Sequence, residues 1–452
     1  MLTNYQLSFI NCQLNTLEGI MKNALRIILL LSILLSALAL AEDEFVKTGI
    51  NVGPLPSVAY NSDTGFQYGL LANIFFYGDG KIYPDYYHNI YVEWNQTTKG
   101  AGLAQITYDS KYLIPGIRVT ADLSNVIKQA WGFYGFNGAE SQYNASWVDK
   151  TSPDYKNSLY YAMKRNQLRF TVNLQGNITD KSFRWLGGLG IMNFDVGSAS
   201  ATRAWDSSFV DQTTLYDDFV DLGAITASEA DGGLVSFVKA GIVYDTRDNE
   251  ACPMKGMWEE AILTYAPGFI GDGGVWLQLS AIHRQYFTVV PDKLSLTYRL
   301  AYQGIIAGSQ PFYMQGNMPD SRNNRDGLGG SKNVRGIMGS RLVGDGYAYA
   351  NLEARWKIVR FKWIGQSWYF GINPFLDAGM VVQPYEYDKS GIETLANTDD
   401  YLTGNNETVH LAYGLGIKLA MNENMILSVD YGFAGSSNDG STGLYIGLGY
   451  LY

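Results

Sequence analysis

Asn351-Leu352-Glu353-Ala354-Arg355-Trp356-Lys357-Ile358 alternates without a break. Asn351, Glu353, Arg355 and Lys357 fall on one side of an extended chain, and Leu352, Ala354, Trp356 and Ile358 on the other. A period of two belongs to a strand with two unlike faces. The polar row needs water or ionic partners, and the opposite row needs an apolar surrounding. Neighbouring stretches repeat the pattern. Leu294, Leu296, Tyr298 and Leu300 oppose Ser295, Thr297 and Arg299, while Leu411, Tyr413, Leu415, Ile417 and Leu419 oppose Ala412, Gly414, Gly416 and Lys418. The closing stretch puts Leu444, Ile446, Leu448, Tyr450 and Tyr452 on one face and Gly447 and Gly449 on the other.

The composition agrees with a large all-β chain. Of 452 residues, 50 are Gly and 33 Tyr, against 2 Cys and 3 His, and only 17% are charged. With 46% hydrophobic residues and a net charge of −10, the chain is neither a disordered segment, a basic nucleic-acid binder nor a disulfide scaffold. A helical membrane bundle needs several apolar runs of about 20 residues, and the one long uncharged run is 27–41. That run reads as the apolar part of an export signal. Met21-Lys22-Asn23-Ala24-Leu25-Arg26 supplies its basic start, and Ala39-Leu40-Ala41 its small-residue cleavage site. Residues 1–20 then form an upstream extension, 21–41 a signal peptide, 42–64 a short periplasmic segment and 65–452 the main domain. Cys252 is alone after the cleavage point, which excludes an intramolecular disulfide and a Cys-type metal cluster.

Fifteen amphipathic stretches are legible between residues 66 and 452. A transmembrane barrel alternates apolar-out with polar-in, carries aromatic residues at its rims and has an even strand number in bacteria. One strand is therefore missed or merged before residue 158, and sixteen is the expected count. The connections at 290–293 and 422–424 are short, whereas those at 196–233, 307–346 and 382–410 are long. Those two classes suit periplasmic turns and extracellular loops respectively. The expected fold is an all-β, transmembrane antiparallel β-barrel of 16 strands, whose last strand ends at Tyr450 and Tyr452 and closes the ring against the first. A soluble sandwich is the alternative with the same alternation.

Three segments carry a more specific signal: Gly329-Gly330-Ser331-Lys332-Asn333-Val334-Arg335-Gly336-Ile337 in a long Gly-rich loop, Asn351-Leu352-Glu353-Ala354-Arg355 on the next strand, and Pro374-Phe375-Leu376-Asp377-Ala378-Gly379 on the one after. In this order they resemble the BamA/TamA superfamily of outer-membrane barrels. Tyr244-Asp245-Thr246-Arg247-Asp248-Asn249, with Pro253 and Gly256 after it, is similar to the same superfamily. The resemblance spans about residues 234–452. It implies a bacterial outer-membrane location and a sixth extracellular loop folded into the lumen, with Arg335 and Gly336 at its core. Parity puts Glu353 and Asp377 on the lumen side, where two carboxylates can grip Arg335, and Gly336 lets the backbone turn beside the Arg. Gly379 completes the second signature. The alternative on the residues alone is that Glu353 and Asp377 are ordinary lumen charges that meet Arg355 or Lys357.

The well-known superfamily members carry periplasmic client-binding domains before the barrel. Residues 42–64 are too few for one, so the resemblance points to a member lacking them. Pro54-Leu55-Pro56-Ser57-Val58-Ala59-Tyr60 and Phe133-Tyr134-Gly135-Phe136-Asn137-Gly138 are similar to segments of barrels from Bacteroidetes-type bacteria. No enzyme or cofactor site is expected. His88, His283 and His410 lack ligand spacing for zinc, and Gly327–Gly330 lacks the Lys of a phosphate loop. Asp320, Asp326 and Asp345 read as a solvated acidic loop. The expected role is outer-membrane protein assembly, insertion or translocation as a reduced or accessory member. The partners are outer-membrane lipid, other assembly subunits or nascent barrel proteins, and not nucleic acid. The alternatives are a passive channel for small solutes or lipid, and a structural subunit of a larger outer-membrane complex.

Overall fold

In the computed structural model of the chain, the structure describes residues 46–452 apart from 84, 181, 200–212, 272, 322–323, 364 and 424. The expected extension and signal peptide lie outside the described residues. The rest forms one closed antiparallel barrel of sixteen strands. The first, β1, is Gly49–Pro56 continued by Ala59–Asn61. Around the ring follow β2 (Gly65–Gly78), β3 (His88–Thr97), β4 (Ala101–Ile114), β5 (Ile117–Lys128), β6 (Ala162–Asn177), β7 (Phe183–Ser198) and β8 (Gly232–Asp245). The second half holds β9 (Gly256–Ala266), β10 (Trp276–Val290), β11 (Leu294–Gly308), β12 (Gly346–Trp363), β13 (Gln366–Gln383), β14 (His410–Met421), β15 (Met425–Ala434) and β16 (Thr442–Leu448). A two-residue piece, Trp131–Gly132, prolongs the line of β5 along β6.

The missed strand is β1. Residues 49–61 read from the sequence as part of a segment before the barrel, because Gly49, Gly53, Pro54 and Pro56 interrupt the alternation. They pair with β2 from Gly49↔Gly78 to Pro56↔Leu70, and again from Ala59↔Gln67 to Asn61↔Gly65.

Alternation sorts the side chains as the barrel requires. On β12 and β13, Leu352, Trp356 and Leu376 are about half exposed on the outer wall, while Asn351, Glu353, Arg355, Lys357, Asn373 and Asp377 are buried in the lumen. Charged groups survive there because they meet one another. The described residues contain no helix long and apolar enough to cross a membrane.

Three fillings occupy the barrel. The loop between β11 and β12, residues 309–345 and sixth of the long-end loops, descends into the lumen. Its Leu328, Val334, Ile337 and Leu342 are fully buried against Ile282, Tyr347, Tyr349, Val381 and Ala412 of the wall. At the long-loop end an aromatic cap covers the barrel, with Phe133, Phe136, Tyr216, Phe219 and Phe312 packed edge to face. Helix α1 (Leu215–Asp221) feeds three of its side chains into this cap, and Thr214 closes a capping box at its start. At the short-turn end, the connection 246–255 reaches across the mouth, so that Cys252 Sγ lies 3.3 Å from the Tyr369 hydroxyl of β13.

Candidate functional site

Arg335 sits at the bottom of the lumen loop with 1% of its side chain exposed. A guanidinium removed from water needs carboxylates on its own fork. Asp377 supplies a two-point contact: Nε donates to Oδ2 at 2.9 Å and Nη2 to Oδ1 at 3.1 Å. The Arg335 backbone N–H adds a third bond to Oδ2 at 3.0 Å. Glu353 Oε1 lies 2.7 Å from Nη1, off the line of its N–H bonds, and Asp430 of β15 is 3.8 Å away. The ring of Phe375 underlies the guanidinium, 3.6 Å from Cζ to the ring centre.

The spacing of Phe375, Asp377 and Gly379 now has a physical reason. On a strand these residues share the lumen face. Phe375 stacks on the Arg and Asp377 binds it. A Cβ at Gly379 would lie 3.0 Å from Val334 and 3.1 Å from Leu328, so a side chain there would press on the loop. Gly336, at φ +104°, is where the loop turns back, and a Cβ there would come within 2.8 Å of the Phe433 backbone. Asn351 ties the two partners together: its Nδ2 donates to Asp377 Oδ1 at 2.7 Å and to the Asn333 carbonyl at 2.5 Å.

The alternative for Glu353 is also realised, because the carboxylate is shared. Its Oε2 accepts from Arg355 Nε at 2.8 Å while Oε1 faces Arg335. Arg355 in turn donates from Nη2 to the main-chain oxygen of Tyr452 at 2.7 Å. Here the expectation for Tyr450 and Tyr452 needs correction. Unbroken alternation would carry them outward at the end of the closing strand, in line with Leu448. The chain leaves the strand at Gly449, whose φ of +84° breaks the alternation, and the last three residues turn into the lumen. Tyr452 is 8% exposed, its hydroxyl donating to the Thr297 carbonyl at 3.2 Å, and the Tyr450 ring stacks under Arg355. Neither residue pairs with β1.

Closure rests on less. β16 meets β1 at two register positions, Tyr60↔Ile446 and Asn61↔Tyr445. Ser62 adds bonds to Leu444 at 3.1 and 2.7 Å. By comparison, β13 and β14 share twelve register positions. Below the short closure, the edge of Gly49–Pro56 that faces away from β2 has no strand partner among the described residues, and Ile50 and Val52 are 65% and 60% exposed. The lumen loop touches both sides of this seam. On the β1 side, Asn61 Nδ2 donates to Ser331 Oγ at 3.2 Å and the Gly339 N–H to Asp63 Oδ1 at 3.0 Å; on the β16 side, the Gly336 N–H donates to the Tyr445 hydroxyl at 3.1 Å. Burial raises the pKa of Asp63, opposed by that Gly339 bond and by Lys99.

Residues that motif reading passed over complete the lumen. Glu260 of β9 accepts from Arg284 of β10 at 2.9 Å and from Ser321 of the loop, and Arg284 lies 3.6 Å from Asp320 of the loop. Arg299 Nε donates to Asn351 at 2.8 Å, and Lys418 pairs with Asp430 at 2.8 Å. Their lumen-face parity was the available signal. Asp320 is thus buried rather than solvated. No group of three or more His, Cys, Asp and Glu side chains suited to a metal occurs among the described residues.

Comparison with known proteins follows the same lines. Residues 104–451 match the Omp85 superfamily domain. Among solved structures, BamA from Haemophilus ducreyi lacking POTRA domains 1–3 is similar over 89% of this chain and 71% of its own, at 14% identity and a TM-score of 0.54. CdiB from Escherichia coli is similar over 91% of this chain and 64% of its own, at 11% identity and a TM-score of 0.52. The chain thus spans less than two thirds of CdiB. No curated protein matches the sequence.

Proposed function

The chain belongs to the Omp85 superfamily and is a barrel of the bacterial outer membrane, and from that premise we propose that it serves outer-membrane protein assembly, insertion or translocation through a seam between β1 and β16 that opens toward lipid. The observation that carries the reading is the two-position closure of that seam, beside an exposed strand edge at 49–56. Unpaired backbone N–H and C=O groups at a sheet edge are a template for an incoming strand. Pro54 and Pro56 remove two donors, so such a strand would find its donors at Ile50 and Val52. In this reading the Arg335 clasp holds the lumen loop, and the loop holds both sides of the seam through Asn61, Asp63 and Tyr445.

A passive channel is the weaker reading. It requires an open lumen, and this one contains the loop, the terminal residues and the connection carrying Cys252. The test is reconstitution. With the purified barrel in vesicles, a urea-denatured outer-membrane barrel should fold several-fold faster than in protein-free vesicles. No acceleration, together with a large and steady single-channel conductance, would replace this reading with the channel.

A further inference from the structure

The outer wall carries an ionic group where lipid should meet only apolar side chains. Glu259 of β9 and His283 of β10 are register partners on the outward face, 43% and 34% exposed, with His283 Nδ1 2.8 Å from Glu259 Oε1. His283 Nε2 is 3.0 Å from the hydroxyl of Tyr298 on β11. The trio lies inside the apolar band. Toward the short-turn end, Phe287 and Leu296 are 51% and 42% exposed, and toward the long-loop end Leu263 and Leu300 are 43% and 51% exposed.

His283 bridges its two neighbours through both ring nitrogens. Nδ1–H donates to Glu259, and Nε2 shares a hydrogen bond with the Tyr298 hydroxyl. The second oxygen of Glu259 has no partner among the described residues. A carboxylate facing hydrocarbon is costly without a cation.

The wall beside it is recessed. Outward-facing Ala261 and Ala281 lie between Tyr244 and Tyr302 and, with Glu259 and His283, line one side of a hollow of about 800 Å³ that continues past Leu300 and Tyr302 to Ala350 and Ala378. A neighbouring protein wall is convex and would bridge such a hollow, whereas a flexible acyl chain can fill it. Glu259 is three residues above the turn that ends at Gly256, roughly 10 Å along the strand. This places it in the leaflet on the short-turn, periplasmic side.

We propose that this recess is a binding site for a phospholipid whose headgroup bears a primary ammonium, with an acyl chain in the alanine-lined hollow and an ammonium N–H donated to Glu259. The site rests on the outer-membrane location and is independent of the assembly reading. The test offers the purified barrel an equimolar mixture of phosphatidylethanolamine and phosphatidylcholine with identical chains. Bound lipid is then read by native mass spectrometry. The two headgroups have the same net charge, but the trimethylated one has no N–H to donate. Wild type should retain phosphatidylethanolamine about tenfold over phosphatidylcholine, as expected for one charge-assisted bond. Glu259→Gln should bring the ratio close to one. Ala281→Phe, which fills the hollow, should lower retention of both lipids several-fold. Each variant lies on the outer wall, and its folding is checked by heat-modifiability. A wild-type ratio near one, a preference that survives Glu259→Gln, or unchanged retention in Ala281→Phe would overturn the site. A wall shaped for a protein partner would give the first of these results.

Discussion

Arg335 touches Asp377 at three points, Glu353 at one and the Phe375 ring at its face. Removing one member of a buried, hydrogen-bonded pair leaves the other charge uncompensated, at a cost of about 3–5 kcal/mol. Arg335→Ala and Asp377→Ala should each lower the temperature of heat-modifiability substantially, and the double variant should be little worse than either. Additive losses would mean that the two side chains act separately. A second residue-scale effect concerns Asp345, just before β12, whose carboxyl is raised to about 6, chiefly by burial and also by Glu386. A carboxyl with a raised folded pKa favours the native state when protonated. Its contribution therefore diminishes as pH rises from about 4 through 6. Asp345→Asn should flatten that part of the stability profile in urea titrations, and an unchanged profile would refute the assignment. Parity placed Glu353 and Asp377 inward, and only the motif resemblance brought Arg335 of the loop to them. The sharing of Glu353 between Arg335 and Arg355 was not legible in the sequence, since parity gives a face and no distances.

At the scale of elements, the terminal strand shows where alternation stops being informative. Leu444, Ile446 and Leu448 follow it, and extrapolation then puts Tyr450 and Tyr452 outside. One backbone angle at Gly449 reverses that, and a sequence pattern of side chains does not register a backbone angle. A Cβ at Gly449 would meet nothing within 4 Å, so Gly449→Ala tests conformation alone. Alanine pays roughly 1–2 kcal/mol in that left-handed region, and heat-modifiability should fall by a corresponding few degrees. No change would mean that the tail tolerates an extended exit. β1 escaped notice for a related reason: its glycines and prolines serve an exposed edge rather than a buried face, so the usual strand signal is weak where the edge matters most.

For the whole molecule, period-two stretches showed fifteen strands, the even number of bacterial barrels supplied the sixteenth, and turn lengths gave the order of long and short connections over the carboxyl half. None of these signals revealed the aromatic cap, because Phe133, Phe219 and Phe312 come from three separate long loops that only the closed barrel brings together. A barrel filled by a loop, a tail and a cap should conduct poorly. Planar-bilayer recordings should show small, infrequent openings for wild type and large, steady ones after deletion of residues 319–341. Large steady openings in the wild type would contradict a filled lumen. The central claim is that β1 and β16 separate during function, and register partners at the seam allow it to be locked. Tyr60→Cys combined with Ile446→Cys places two thiols at the Tyr60↔Ile446 pair. With this variant in vesicles, folding of a denatured outer-membrane barrel should be accelerated when the pair is reduced, should fall to the protein-free rate on oxidation and should recover with reductant. Equal acceleration in the oxidised and reduced states would contradict the account.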